Sequence, residues 1–374
     1  YDLQVPQGTP TEVRNSFGEV SATGMKADTV IVNAHGRVSV ADATGRHRIE
    51  NSFGAIDLAR VTGDVTVTGA NGSLSAATIA GGLNATNRFG SVTVNGVRGA
   101  ALVANSNGQV TMTDAASANV TTSFGPVSVS QITGAATVTN SNGKVEIIAV
   151  KGGTQVKTTF GHVSVRDVGT GLTVVNSNGG VTATNVGGTA HVTTSFGAVE
   201  LREVTGNATV ENSNGSVKLF DIKGAARVKT SFGLVSAERV GDPFTVDNTN
   251  GGVQAADVAG AADVTTSFGP VVLKSVGGRV EVRNQNGAID VAAASGRCHD
   301  VLLSTSFSTL QVALPESGYK VTARTWFGTI QSDVPITSTG AISERSLTGT
   351  IGEGRCILQL TNANGNIRIV PAAR

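Results

Sequence analysis

Large side chains are scarce in this chain. Of its 374 residues fifteen are aromatic, twelve of them Phe, with a single Trp at position 326 and only two Met. A thick globular core needs such residues, so the apolar content, which is mostly Val and Ala, points instead to thin, layered β-structure. Charge is also sparse, at 15% of residues against a usual ~25%. Its 28 basic and 27 acidic side chains nearly cancel, which leaves no counterion-release footprint and argues against nucleic acid as a partner. No apolar run approaches the ~20 residues of a membrane-spanning helix. With 39% apolar residues and a net charge of +1, the chain is too hydrophobic for a solvated coil.

Glycine, by contrast, is abundant, with 48 residues, and its placement is regular. A Gly following Phe, Asn or His recurs at Gly18, Gly36, Gly54 and so on to Gly287, sixteen positions in all. The step is uniform and is broken once, where Gly108 is followed early by Gly125. Taking that Gly as zero, positions two, four, seven and thirteen are apolar: Val127, Val129, Ile132 and Val138 illustrate the set. Steps of two within each cluster signal extended strands with alternating faces, and Gly supplies the corners that bulky residues resist. No 18-residue unit can bury its own apolar face, but units stacked in register cover one another. The repeat therefore predicts an all-β fold, a single-stranded parallel β-helix or β-solenoid. About twenty rungs at ~4.8 Å would make a rod on the order of 95 Å long. A meander of hairpins is the all-β alternative, but it would not require inward residues at one fixed period. Val127, Val129, Ile132 and Val138 are expected to be buried, with Ser128 and Ser130 facing outward.

A second period lies on the first. The residue before the marker Gly alternates between Phe (Phe17, Phe53, Phe89, Phe124, Phe160, Phe196, Phe232, Phe268) and mostly Asn (Asn71, Asn107, Asn142, Asn178, Asn214, Asn250, Asn286), with His35 in one Asn slot. These residues are expected to form a structural ladder. Either an 18-residue rung alternates large Phe with small Asn to relieve crowding, which we favour, or a 36-residue rung stacks Phe on Phe and Asn on Asn. A buried ring in this column would be worth roughly 3–5 kcal/mol against Ala.

Residues 1–296 form the regular repeats. Over 297–374 spacings stretch to about twenty and Pro315, Tyr319, Trp326 and Pro335 appear, as expected for atypical end rungs and a cap of the same solenoid. Tyr319, Trp326, Phe327 and Leu347 are the bulky residues expected to cover the C-terminal strand edge. The N-terminal rung has only Pro6 and Pro10 to blunt its edge, so it is the expected point of end-to-end or anchor contact. The chain begins at Tyr1 rather than Met, and membrane contact is expected only through a removed or missing N-terminal anchor.

The segments Leu314-Pro315-Glu316-Ser317-Gly318-Tyr319, Trp326-Phe327-Gly328-Thr329-Ile330, Leu347-Thr348-Gly349-Thr350-Ile351-Gly352-Glu353-Gly354 and Thr361-Asn362-Ala363-Asn364-Gly365-Asn366-Ile367-Arg368-Ile369 resemble a bacterial family of β-strand-repeat proteins filed as adhesins, of unknown function. The upstream Ser-Phe-Gly and Asn-Ser-Asn-Gly repeats resemble the same family. The resemblance implies a right-handed β-helix of the bacterial envelope or cell exterior and brings no catalytic residues with it.

Parallel β-helices include polysaccharide lyases and hydrolases, whose chemistry needs converging carboxylates or a metal. Here the acids are dispersed. Asp42, Asp114, Asp221 and Asp257 share the sixth position of their rungs, but the nearest pair is two rungs, roughly 10 Å, apart, so they read as solvated corner acids. His35, His47, His162, His191 and His299 are scattered, against a shared metal. No helix follows any Gly-rich segment, against a phosphate cradle. We assign no catalytic, cofactor-binding or metal-binding residue and no cofactor. Cys298 and Cys356 both follow Gly-Arg; about three rungs, on the order of 14 Å, should separate them, beyond what a disulfide bridges without rearrangement, so buried thiols are expected, with a bridge as the alternative because the register loosens at this end. The sequence thus predicts a non-enzymatic structural or adhesive β-helical rod, periplasmic, cell-surface or extracellular, including as a scaffold subunit of a larger assembly, with a protein or surface-glycan partner. A carbohydrate-binding or polysaccharide-cleaving β-helix is the alternative.

Overall fold

A computed structural model describes residues 2–294, 296–315, 318–339 and 343–372. The described residues contain 38 β-strands and no helix, so none long and apolar enough to cross a membrane. The chain divides into two compact units, Tyr1–Val181 and Thr182–Arg374. Each is a parallel β-solenoid built on the 18-residue coil.

One coil of the first unit shows the construction. The strand Ala136–Asn142 ends at the corner Gly143, and the shorter strand Val145–Val150 follows. Ala136 pairs in parallel with Thr154 of the next coil and Val145 with Val163. In the second unit Ala208 pairs with Ala226 and Val217 with Val235 in the same way. Parallel pairing at this constant offset rules out the hairpin meander. It also settles the rung. Phe124 pairs with Asn142 and Asn142 with Phe160, so the shorter rung is the coil and the longer period is an alternation between coils.

The core lies inside the coils. Val127, Val129, Ile132 and Val138 are at most 1% exposed, whereas Ser128 and Ser130 are half-buried on the outer face, as the alternation predicts. Two kinds of corner bend the coil. At fourteen of the sixteen marker Gly residues φ lies near +106° to +159°, and a Cβ on Gly215 would sit 2.2 Å from the carbonyl oxygen of Gly197 one coil away. Only glycine tolerates both demands. Six residues on, thirteen non-glycine residues adopt left-handed φ of 52–59°, among them Asp42, Arg60, Gln131, Ala149 and Asp257. That bend turns two successive side chains outward and explains why position seven, not six, rejoins the core.

The one short step has a local cause. Val97 pairs with Ala115 but Ala100 pairs with Ser117, so one residue is missing from the turn between them. Without it the strands run through the corner as Val92–Asn107 and Val110–Phe124.

The C-terminal coils depart from chain order. The strand Cys356–Asn364 lies between Val301–Phe307 and Tyr319–Phe327, parallel to both, with Leu358 pairing Val301 on one side and Val321 on the other. Ile367 likewise pairs with both Leu310 and Ile330. The chain therefore skips one coil position, builds the terminal coil from Tyr319 onward, and returns to fill the gap.

Strand Ser346–Ile351 runs antiparallel along Tyr319–Phe327, pairing Tyr319 with Ile351 and Arg324 with Ser346. This changes the expected cap. Tyr319 is fully buried, but Trp326 and Phe327 are 58% and 69% exposed, and a reversed strand, not a cluster of bulky side chains, satisfies the edge. Thr11–Phe17 at the other end pairs with Thr29–His35 and has no second strand partner among the described residues.

The same rearrangement overturns the expectation of free thiols. Cys298 and Cys356 form a disulfide with Cα atoms 6.0 Å apart. Counting rungs along the chain placed them three coils apart; with the last coil threaded back, their coils are neighbours.

Candidate functional site

The corner at the marker Gly carries the most regular side chains, in two columns. The inner column is three residues before the Gly and alternates Asn with Thr in most coils. Asn212 is 4% exposed and Thr230 4%. The Asn212 Nδ2 donates to the carbonyl oxygens of Gly197 and Gly215, at 3.1 and 3.0 Å, tying two consecutive corners together; Asn140 and Asn248 do the same in their coils. In the Thr coils the hydroxyl of Thr230 donates to the Phe232 carbonyl at 3.4 Å.

In the first coils the amides also bond each other, Asn15 to Asn33 at 3.0 Å and Asn33 to Asn51 at 3.3 Å, whereas Asn105, paired with Asn87 of the preceding coil, has its Oδ1 buried without a partner. A neighbouring Thr interrupts that chain, and the Oδ1 atoms of Asn212, Asn248 and Asn284 are buried without a partner. Replacing Asn212 by Ala is expected to cost about 1–3 kcal/mol, because the carbonyls of two half-buried corner glycines lose their donor. Chemical denaturation together with hydrogen exchange of residues 197–216 measures it.

This inner ladder escaped the sequence reading, although its signal was present. In Asn-Ser-Asn-Gly the first Asn is in phase with the inward residues Ala208 and Val210. The outer column, adjacent to the Gly, holds the residues singled out from sequence. In the first unit Phe53, Phe89, Phe124 and Phe160 alternate across coils with Asn71, Asn107, Asn142 and Asn178. In the second, Phe196, Phe232 and Phe268 alternate with Asn214, Asn250 and Asn286.

These rings are half exposed, Phe196 at 55%, so the cost of removing a fully buried ring does not apply to them. Nor is crowding the reason for the alternation. His35 stacks between Phe17 and Phe53 at 4.9 Å from each, nearly parallel to both, so aromatic rings fit on three consecutive coils.

Ionisable groups do not converge. Asp42, Asp114, Asp221 and Asp257 sit on the left-handed bend, a conformation that Asp adopts more readily than most residues. Asp42 is paired with Arg60 at 2.5 Å and Asp221 with Arg239 at 2.6 Å. The arginine hydrogen bonds hold both carboxyls below the usual range. Among the described residues no three His, Cys, Asp or Glu side chains gather as a metal site would require. An open cavity beside the disulfide is lined by Arg297, Glu353 and Arg355 among others; Glu353, the one carboxylate among the described lining residues, is ion-paired with Arg355.

His47 is the exception among the histidines. It points into the core, 2% exposed, between Thr29 and Val65 of the adjoining coils, and neither ring nitrogen has a hydrogen-bond partner. Burial pushes its pKa below the ordinary value, and attraction from the Asp28 carboxylate opposes this only in part. The unfolded chain binds the proton first as pH falls, so His47 stabilises the fold above about pH 6.5 and that contribution is lost below it. The melting temperature is expected to drop between pH 7 and 5, and the drop should shrink in His47→Val, which copies Val65 in the next coil.

The sequence profile of the Toastrack DUF4097 family matches residues 170–370, more than half of the chain. The chain belongs to this family. No curated protein and no solved structure matches it. The Toastrack assignment agrees with the β-solenoid of both units, and the matched segment includes the rearranged C-terminal coils.

Proposed function

We propose that this Toastrack chain is a non-enzymatic structural or adhesive β-solenoid of the bacterial envelope or cell exterior, a scaffold that meets a protein or surface-glycan partner through its repetitive outer face. The observation that carries this reading is that the outward side chains repeated on coil after coil form a column of Phe and Asn, and among the described residues no metal-type cluster of His, Cys, Asp or Glu accompanies it. Short side chains such as Ser128, Ser195 and Ser231 lose little rotamer freedom when a partner covers them. The Cys298–Cys356 disulfide supports a periplasmic, cell-surface or extracellular location, because disulfides persist in oxidising compartments. The strand edge at Thr11–Phe17 is a further contact point, for an anchor or for end-to-end association.

Mild cross-linking in the native organism, followed by identification of the neighbours, tests the reading. Envelope proteins or surface glycans are the expected partners. Exclusively cytosolic neighbours, or turnover of acidic polysaccharide by the purified chain, would sink it.

A further inference from the structure

The outer column has a property that its role inside one chain does not explain. The Phe/Asn alternation survives where chain order is broken. In sequence the last corner residues run Phe307, Phe327, Asn364, but in space Asn364 pairs with Phe307 on one side and Phe327 on the other. Packing does not impose it, since the Phe17–His35–Phe53 stack places three rings on consecutive coils. The inner ladder does not impose it either: Asn51 lies inside Phe53 and Thr230 inside Phe232, so Phe accompanies both inner residues.

The alternation creates a row of knobs and gaps with a single period. The Phe rings of the column are 49% to 76% exposed, and Phe is longer than the Asn on either side of it. Where His35 stands in place of Asn, its ring lies 4.9 Å from each neighbouring Phe and within 12° of parallel, so the Phe spacing across one coil is that of a stacked ring. A row in which knob and gap share one spacing is complementary to itself displaced by one coil.

We propose that this face is the docking site for a second copy of the chain, the Phe rings of each copy seating over the Asn side chains of the other, between its Phe rings. Electrostatics permit it in the second unit. From Ser195 to Ala288 the two columns flanking the Phe/Asn row consist of Ser, Thr, Gln, Ala, Leu, Gly and Pro, so the row and its immediate flanks set no like charges against each other. Leu234, 40% exposed beside the row, adds apolar surface to bury. Interdigitated identical side chains between paired sheets form dry, tightly packed interfaces of this kind, and offset aromatic stacking contributes beyond the area buried.

Sedimentation equilibrium of the full chain tests the proposal with two variants of opposite character. F232A/F268A removes knobs. N214F/N250F fills gaps with rings of the same chain, as His35 does, and increases the exposed apolar area. The parent is expected to sediment as a dimer, and both variants as monomers at the same concentration, with thermal melts showing each of them folded. A parent that stays monomeric throughout its soluble range overturns the proposal, as does dimerisation of F232A/F268A undiminished, which would place the contact at another surface such as the Thr11–Phe17 edge. Association of N214F/N250F as strong as the parent's, or stronger, also overturns it, because a merely sticky patch gains from added Phe while an interdigitating one loses its gaps.

Discussion

Replacing Val138 by Asp is expected to destabilise the first unit by about 3–5 kcal/mol, the cost of an unpaired charge in a dry interior. Val138 is 0% exposed and pairs with Val120 and Val156 in the coils on either side. Carbonyls and amides nearby are already engaged in the parallel ladder, so the carboxylate finds no donor without breaking a coil. Each coil touches mainly its neighbours, so the damage should be local at first. Hydrogen exchange should rise over residues 118–160 before it rises near Thr11–Phe17, and the melting temperature should fall. Near-parental stability would mean that the column of position thirteen does not face the core. Val138→Ala offers a calibrated comparison, because it removes apolar contact without adding charge.

Loss of the disulfide is expected to have an effect of similar size at the other end of the chain. Cys298 and Cys356 are 58 residues apart in sequence, and closing a loop of that length removes about 4 kcal/mol of entropy from the unfolded state in the chain-entropy account. The double replacement C298S/C356S should therefore lower stability by roughly 2–4 kcal/mol. The loss should be confined to the rearranged coils, because the disulfide pins the returning strand Cys356–Asn364 beside Val301–Phe307. Beside the disulfide the backbone N–H of Ile357 also donates to Asp300 at 2.9 Å, and the parallel pairing runs on to Phe307 and Asn364. Exchange of residues 319–371 should accelerate while residues 208–286 stay protected. Treatment of the parent with a reductant should reproduce the variant. Equal protection of both segments in the reduced chain would show that the strand order holds itself without the crosslink.

The sequence by itself determined the coil. A Gly at the same point of every repeat, with apolar residues at four fixed positions after it, leaves few ways to bury Val and Ala other than stacking. The inward and outward assignment of Val127 through Ser130 followed from alternation alone. Three features needed the tertiary structure, each for a physical reason. The left-handed bend at position six is occupied by Arg60, Gln131, Ala149 and Ser275 as well as by Asp, so no residue type announces it; the parallel hydrogen bonds of the flanking coils hold the backbone there. The exposure of the Phe column depended on the height of Phe above Asn at a shared corner, which a list of residues does not encode. The C-terminal threading, and with it the disulfide and the reversed cap strand, arose from pairings between segments far apart in the chain. Rung counting assumes that neighbours in sequence are neighbours in space, and that assumption fails where an exposed strand edge is satisfied by whichever segment can return to it.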